Sequence, residues 1–174
     1  MLGDSIMHWA GEYAAEHNQL NLGLQLQIGW MGYRGMSWSQ FKHIMQLQVT
    51  FATPPKIIFI HLGGNDVETL TMCKIFNRIR SGIRYLRAAF DTCKIVWVVI
   101  LPRTAWRCRS ALEDKPKRLN RHGRHMAQSV GGYCLALDID GQTEGFYRKD
   151  GVHLSKVGQA MFLDAIKEKI LDLF

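Results

Sequence analysis

The sequence predicts an α/β fold in which a parallel sheet is flanked by helices. Three short, nearly continuous apolar runs, 56–62 (KIIFIHL), 94–101 (KIVWVVIL) and 133–137 (YCLAL), suit strands covered on both faces. Segments with helical spacing lie between and beyond them, and strands alternating with helices imply parallel pairing through right-handed crossovers. The chain of 174 residues contains no internal repeat, low-complexity tract or linker, so one domain spans 1–174.

From the N-terminus, Ser5 opens a helix that runs through His17. Leu24-Gln25-Leu26-Gln27-Ile28 alternates with period two, predicting a strand over 22–28 with one wet face. Ser37 and Gln40 have capping-box spacing ahead of Phe41, Ile44 and Met45. After the strand at 56–62, Met72, Ile75, Phe76, Ile79, Ile83, Leu86 and Phe90 trace one face of a long helix, with Arg80, Arg84 and Arg87 on its other side. A basic helix over 115–129 and a final one over 155–173 flank the strand at 133–137.

Composition excludes several classes. Apolar residues make up 47% and charged residues 21%, as in globular rather than disordered chains. The longest strongly apolar run, 95–101, is far short of the ~20 residues that span a bilayer, and Met1-Leu2-Gly3-Asp4 does not read as a signal peptide. A cytoplasmic location is the expectation. Cys73, Cys93, Cys108 and Cys134 form no CxxC pair, which argues against a zinc ribbon or disulfide scaffold and for free thiols in a reducing compartment.

The formal charge of +7 is concentrated. Arg103, Arg107, Arg109, Lys115, Lys117, Arg118, Arg121 and Arg124 face only Glu113 and Asp114 within 103–125, a net of +6. Such a segment is either a solvated face or a contact for the phosphates of nucleic acid or an anionic membrane surface. His122 and His125 have HxxH spacing, but the surrounding positive charge and the lack of a third ligand argue against a metal. His61, His8 and His43 read as packing or surface residues, and Asp4 and Asp66 as residues that shape their turns.

In parallel α/β sheets the working site lies at the carboxyl ends of the strands. Three motifs fall there or at a helix start. Gly63-Gly64-Asn65-Asp66 follows a strand, and Asn65 offers an amide donor, or else only an Asx-type turn bond. Asp150-Gly151-Val152-His153 precedes the last helix, and a carboxylate three residues before a histidine can reach its Nδ1–H and leave Nε2 free as a base. Gly3-Asp4-Ser5 opens the first helix, where Ser5 is either a first-turn residue or a nucleophile whose own N–H points at a developing oxyanion.

In this order, the three blocks resemble the SGNH, or GDSL-type, serine hydrolase family along almost the whole chain. The resemblance implies a flavodoxin-like three-layer sandwich and an esterase without metal or organic cofactor. It implies that Ser5 is the nucleophile, His153 the general base and later acid, and Asp150 the orienting carboxylate. The Ser5 N–H, Asn65 and a loop glycine would form the oxyanion hole. Gly35 matches that glycine best and Gly32 competes. No GxSxG nucleophile elbow occurs, which argues against an α/β-hydrolase.

His8-Trp9-Ala10, the Trp30/Tyr33/Trp38 loop and the basic character also resemble the esterase domain of the first open reading frame of LINE-type retrotransposons. That narrower resemblance implies lipid or nucleic-acid contact and self-association. The glycine-hinged loop at 29–38 would line an acyl pocket or touch a membrane interface, unless its aromatics simply pack in the core. An apolar wall there favours short- to medium-acyl or lipid esters over acetylated sugars.

One departure from the pattern stands out. Only Met1 and Leu2 precede Gly3, whereas family members enter this motif from a central strand. The expectation is therefore either a fragment or alternative start, or a sheet with its first central strand missing, which would leave backbone groups unpaired and Ser5 untethered. It gives weight to a second function class: a non-catalytic module binding lipid, nucleic acid or protein on the same scaffold.

Overall fold

Period-two alternation within the apolar strands divides the molecule into layers. The computed structural model describes residues 1–48, 54–106, 112 and 114–174. Among these, β1 (Leu2–Gly3), β2 (Met31–Gly32), β3 (Ile57–His61), β4 (Lys94–Val98) and β5 (Tyr133–Leu135) form one sheet in the order β2-β1-β3-β4-β5. Every pairing is parallel. Ile58, Ile60, Ile95 and Trp97 turn to one face of the sheet, and Phe59, Val96, Val98 and Leu135 to the other. Against the first face pack α2 (Phe41–Gln48), α4 (Met72–Ala89) and α5 (Lys115–Gln128), through residues such as Phe41, Ile79, Ile83 and Leu119. Against the second lie α1 (Ser5–Glu16) and α6 (Lys156–Leu173), through Met7, Ala10, Phe162 and Ile166. The three-layer α/β expectation holds.

Thr71 caps α4 through its hydroxyl, and Ser155 caps α6 through a bond from the Gly158 N–H. The spacing of Ile75, Ile79, Ile83 and Leu86 buries one stripe of α4, as read from the sequence. Ser37 N–H donates to the Gln40 side chain, half of the expected capping box. On the same face Trp38 stacks on Trp97, with ring centroids 6.2 Å apart and planes within 5°.

The expected absence of the first central strand needs correction. Leu2 and Gly3 form that strand, pairing with Met31 and Gly32 on one side and with Ile60 and His61 on the other. Backbone bonds from Asp4 N to His61 O (3.2 Å) and from Tyr33 N to Gly3 O (3.0 Å) tether the start of α1 from both flanks. Two residues suffice because the ladder bonds fall next to Ser5. The backbone packs so closely here that a Cβ on Gly3 would lie 2.3 Å from the His61 carbonyl oxygen, and one on Gly32 2.1 Å from the His8 nitrogen. Behind the strand, between Gln25–Gly29 and Lys56–Phe59, an apolar cleft of about 680 Å³ remains.

A second correction concerns 22–28, which is irregular. Leu24, Leu26 and Ile28 do turn inward while Gln25 and Gln27 face solvent, so the alternation is real. A strand also needs a paired backbone, and pairing with the first strand begins only at Gly29, whose carbonyl takes the Met1 ammonium at 2.7 Å. Leu22 and Gly23 further break the extended path with φ of 56° and 69°. The strand expected over 94–101 ends at Val98, beyond which Asn120 bonds both the N–H and the carbonyl of Ile100. A short helix, α3 (Asp66–Thr69), follows the Gly-Gly-Asn-Asp loop without a prior sequence signal. Among the described residues no helix is long and apolar enough to cross a membrane.

Candidate active site

The carboxyl ends of β1, β3 and β4 converge with the turn before α6. Asp4 is the N-cap of α1, accepting the Ile6 N–H at 3.0 Å, and this places Ser5 in the first helical turn. The N–H groups of that turn have no partner within the helix, and the helix dipole favours negative charge there. Asp4 Oδ1 also meets His61 Nδ1 at 3.3 Å, and both residues are buried. His61 in turn packs edge-on against Phe162. The readings of Asp4 as a turn residue and His61 as a packing residue agree with these contacts.

Ser5, 7% exposed, directs Oγ to His153 Nε2 at 3.0 Å, and His153 Nδ1 lies 2.8 Å from Asp150 Oδ2. These groups are thus in one hydrogen-bonded line, although Ser5 and His153 are 148 residues apart. The turn holding Asp150 and His153 is built locally. Arg148 N donates to His153 O, Ser155 N donates to Phe146 O, and Tyr147 and Leu154 form an antiparallel bridge. Asp150 Oδ1 accepts the N–H groups of Val152 and His153, both at 2.9 Å.

Partial desolvation pushes the Asp150 carboxyl up, but those two N–H groups and the His153 ring outweigh it and hold the group down to about 2. A lowered carboxyl stabilises the fold above its unfolded value and loses that contribution as pH falls through the folded one. This turn therefore keeps its ionised carboxylate across the neutral and mildly acidic range. Asp150 is 47% exposed, so solvent screening makes its effect on stability small.

Asn65 stands at the N-cap position of α3 yet makes no capping bond. Its Oδ1 accepts from Arg103 at 2.9 Å and its Nδ2 donates to Met36 O at 3.0 Å, leaving the second amide hydrogen available. Gly35, with φ of +74° and exposed, immediately precedes Met36 on the loop that Asn65 grips. Gly32 instead lies beneath the first turns of α1. Asp66, fully buried, fixes the same loop by accepting the Trp38 N–H at 3.0 Å. Burial pushes its carboxyl up, aided by the nearby Asp4 charge, while the Trp38 N–H and Arg78 work against that rise.

Sequence reasoning missed two supports on the loop after β4. Arg103, grouped with the basic segment, is instead largely buried over Trp106 and bonded to Asn65. Thr104 donates from N at 3.0 Å and from Oγ1 at 3.3 Å to Gly151 O, bracing the Asp150–His153 turn. No motif announces either residue. Of the remaining basic residues, Lys115 bonds Val67 O, while Lys117, Arg118, Arg121 and Arg124 are exposed on α5. Arg107, Arg109, Cys108 and Glu113 lie outside the described residues.

The expected apolar wall from the loop at 29–38 is also corrected. Trp38 is buried and bonds Leu62 O, and Trp30 covers Gly11 and bonds Leu20 O, so both rings serve packing. The aromatic beside the site is Trp9, whose ring centroid is 6.4 Å from that of His153. His122 stacks on Phe76 and bonds its carbonyl, and among the described residues no cluster of His, Cys, Asp or Glu is arranged to hold a metal. Cys73, Cys93 and Cys134 are free thiols.

Such an arrangement can deprotonate a serine hydroxyl and offer donors to an oxyanion. The fold is shared with solved hydrolases. A psychrotrophic esterase, EstA, from a Pseudoalteromonas species superposes with a TM-score of 0.74 at 14% identity, covering 99% of this chain and 95% of that one. A GDSL-like lipase from Bacteroides thetaiotaomicron gives 0.70 at 19% identity over 99% and 87%. The lipase/acylhydrolase from Enterococcus faecalis gives 0.70 at 15% identity over 97% and 92%. No curated protein sequence matches the chain. Nothing in these likenesses supports the narrower resemblance to retrotransposon esterase domains. The model of the GDSL-like lipase/acylhydrolase family matches residues 1–161, nearly the whole chain from the Ser5 block through the His153 block, and the chain belongs to that family.

Proposed function

We propose that the protein is a serine esterase that hydrolyses carboxylic esters through an acyl-enzyme on Ser5, its short- to medium-acyl or lipid preference resting on membership of the GDSL-like lipase/acylhydrolase family rather than on the loop at 29–38. The observation that carries this reading is the unbroken line from Ser5 Oγ through the His153 ring to Asp150. His153 Nε2 takes the Ser5 proton as Oγ attacks the ester carbonyl. The Ser5 N–H, Asn65 Nδ2 and the Gly35 N–H receive the oxyanion, each such donor contributing about 2.7–4 kcal/mol to lowering the barrier. The imidazolium then protonates the leaving alcohol, and water activated by the same nitrogen hydrolyses the acyl-enzyme. Asp150 fixes the tautomer and stabilises the imidazolium throughout. No step calls for a metal or organic cofactor.

The test is hydrolysis of p-nitrophenyl esters from acetate to decanoate, with acetylated sugars alongside. Wild type should turn over the aryl esters, and Ser5→Ala should lose about 10⁴-fold or more in kcat. Unchanged activity in Ser5→Ala would refute the mechanism, and similar or better turnover of acetylated sugars than of short and medium acyl esters would refute the acyl preference.

A second reading, a module binding the phosphates of lipid or nucleic acid, draws on one observation: Lys117, Arg118, Arg121 and Arg124 are all exposed on α5. It requires binding to RNA or anionic vesicles that weakens steeply with salt.

A further inference from the structure

Around the mouth of the Ser5 site stand guanidinium groups from separate parts of the fold. Arg34 lies on the loop after β2, beside Gly35, and its guanidinium carbon is 5.6 Å from the centre of the Trp9 ring. Arg148 lies on the turn before α6 and approaches the same ring at 4.6 Å, with its Nε donating to Leu154 O. Trp9 meets the His153 ring edge-on. From a third side, Arg103 reaches Asn65.

The carboxylates around these groups leave the Trp9 pair uncovered. Asp150 is turned into the His153 ring and the N–H groups of its own turn, and Glu68 lies near Arg103, 4.0 Å away. Among the described residues no carboxylate forms an ion pair with Arg34 or Arg148, both of which are exposed. Two cations gathered around one aromatic ring repel each other, and an anion within reach of both relieves that repulsion while forming charge-assisted hydrogen bonds.

Their position also assigns a side of the substrate. His153 hands its proton to the leaving alcohol, so groups packed around His153 beyond Ser5 face the alcohol half of the ester. We infer that this enzyme selects esters whose alcohol half carries an anionic group, a phosphate or a carboxylate, received by Arg34 and Arg148 beside Trp9. The inference rests on the esterase reading and narrows it to a substrate class. It concerns the Ser5 mouth alone, apart from the basic face of α5.

Matched substrates test it. 1-Butyrylglycerol and 1-butyrylglycerol 3-phosphate share an acyl group and differ by the phosphate; methyl 4-acetoxybenzoate and 4-acetoxybenzoate differ by a carboxylate charge. At low salt, wild type should favour the anionic member of at least one pair by about tenfold in kcat/KM, chiefly through KM, and high salt should erode that preference. The pair that responds shows whether phosphate or carboxylate is the group received. In the Arg34→Gln/Arg148→Gln variant the ratio should fall towards one. Equal kcat/KM for both members of both pairs, or a preference that survives in the double variant, would overturn the inference while leaving the esterase reading standing.

Binding separates the two claims if no ester is turned over at all, an outcome that defeats the esterase reading. Calorimetric titration of Ser5→Ala with each glycerol and benzoate ester should still show the anionic member bound about tenfold more tightly, and that advantage should vanish when Arg34 and Arg148 are also replaced. No difference in affinity would sink the anionic-site inference as well.

Discussion

Asp66 shows what one buried carboxylate does for the backbone around it. It sits one residue after Asn65 and holds the Trp38 N–H, so it fastens the loop that carries Gly35 to the loop that carries Asn65. Its raised carboxyl means that the folded state binds the proton more tightly than the unfolded chain. That contribution is fully present below the ordinary value of 3.8 and is lost as pH rises through the folded value. Asp66→Asn keeps an acceptor for Trp38 without the buried charge. The melting temperature of Asp66→Asn relative to wild type should therefore rise as pH is raised from about 4 towards neutrality, as followed by circular dichroism. Asp150→Asn makes a different point. On the proposed mechanism, the side chain retains an oxygen for the backbone donors but no longer stabilises the imidazolium or enforces its tautomer. Its kcat on a p-nitrophenyl ester should fall roughly 10²–10⁴-fold, with KM changed much less.

Elements meet at places where a single atom decides the spacing. Gly123 lies in the middle of α5, where helix propensity alone favours alanine by about 1 kcal/mol. A Cβ there would stand 2.2 Å from the Trp97 ring, which is fully buried and already stacked on Trp38. Neither ring can yield without disturbing the Asn65 side of the sheet, because Trp38 bonds Leu62 O just before the Gly63-Gly64-Asn65 turn. Gly123→Ala should cost about 1–3 kcal/mol, read as a lower urea midpoint, despite the gain in propensity. The turn before α6 depends on a neighbour in the same way. Thr104 braces Gly151 O through two bonds, and Thr104→Val removes the hydroxyl bond while keeping the N–H bond and the side-chain shape. The expected result is a severalfold loss of kcat with nearly unchanged stability, since a buried network is little altered but the placement of His153 loosens.

The whole molecule brings together groups that its chain order separates. Ser5 leaves β1, Asn65 leaves β3, Arg103 leaves the loop after β4, and His153 precedes α6; only the closed three-layer packing makes them neighbours. Phe162 is a keystone of that packing: fully buried on α6, it touches the core under α1 and faces the His61 ring that lies beneath Asp4. Phe162→Ala should cost about 3–5 kcal/mol, and loss of esterase activity in urea should track global unfolding rather than precede it. Activity lost well before the spectroscopic transition would show that the site opens independently of the core.

Much of this was legible in the residues. Apolar runs at 56–62 and 94–101, helical spacing from Met72 to Phe90 and the order of the motif blocks pointed to the fold class, and the sequence named Ser5, Asp150 and His153, which the structure places in one hydrogen-bonded line, because periodicity and local turn chemistry are properties of the chain itself. Pairing partners were not legible. Leu24 to Ile28 alternates like a strand but lacks a ladder, and Leu2–Gly3, too short to signal anything, becomes an inner strand paired on both sides because Met31 and Ile60 lie within reach. Arg103 read as part of a phosphate-binding run, and only the tertiary structure turned it onto Asn65. Trp30 and Trp38 read as a wall for the acyl chain, and only packing buried them while leaving Trp9 beside His153. A contact between residues far apart in the chain leaves no period or motif behind, since it exists only once the layers have closed.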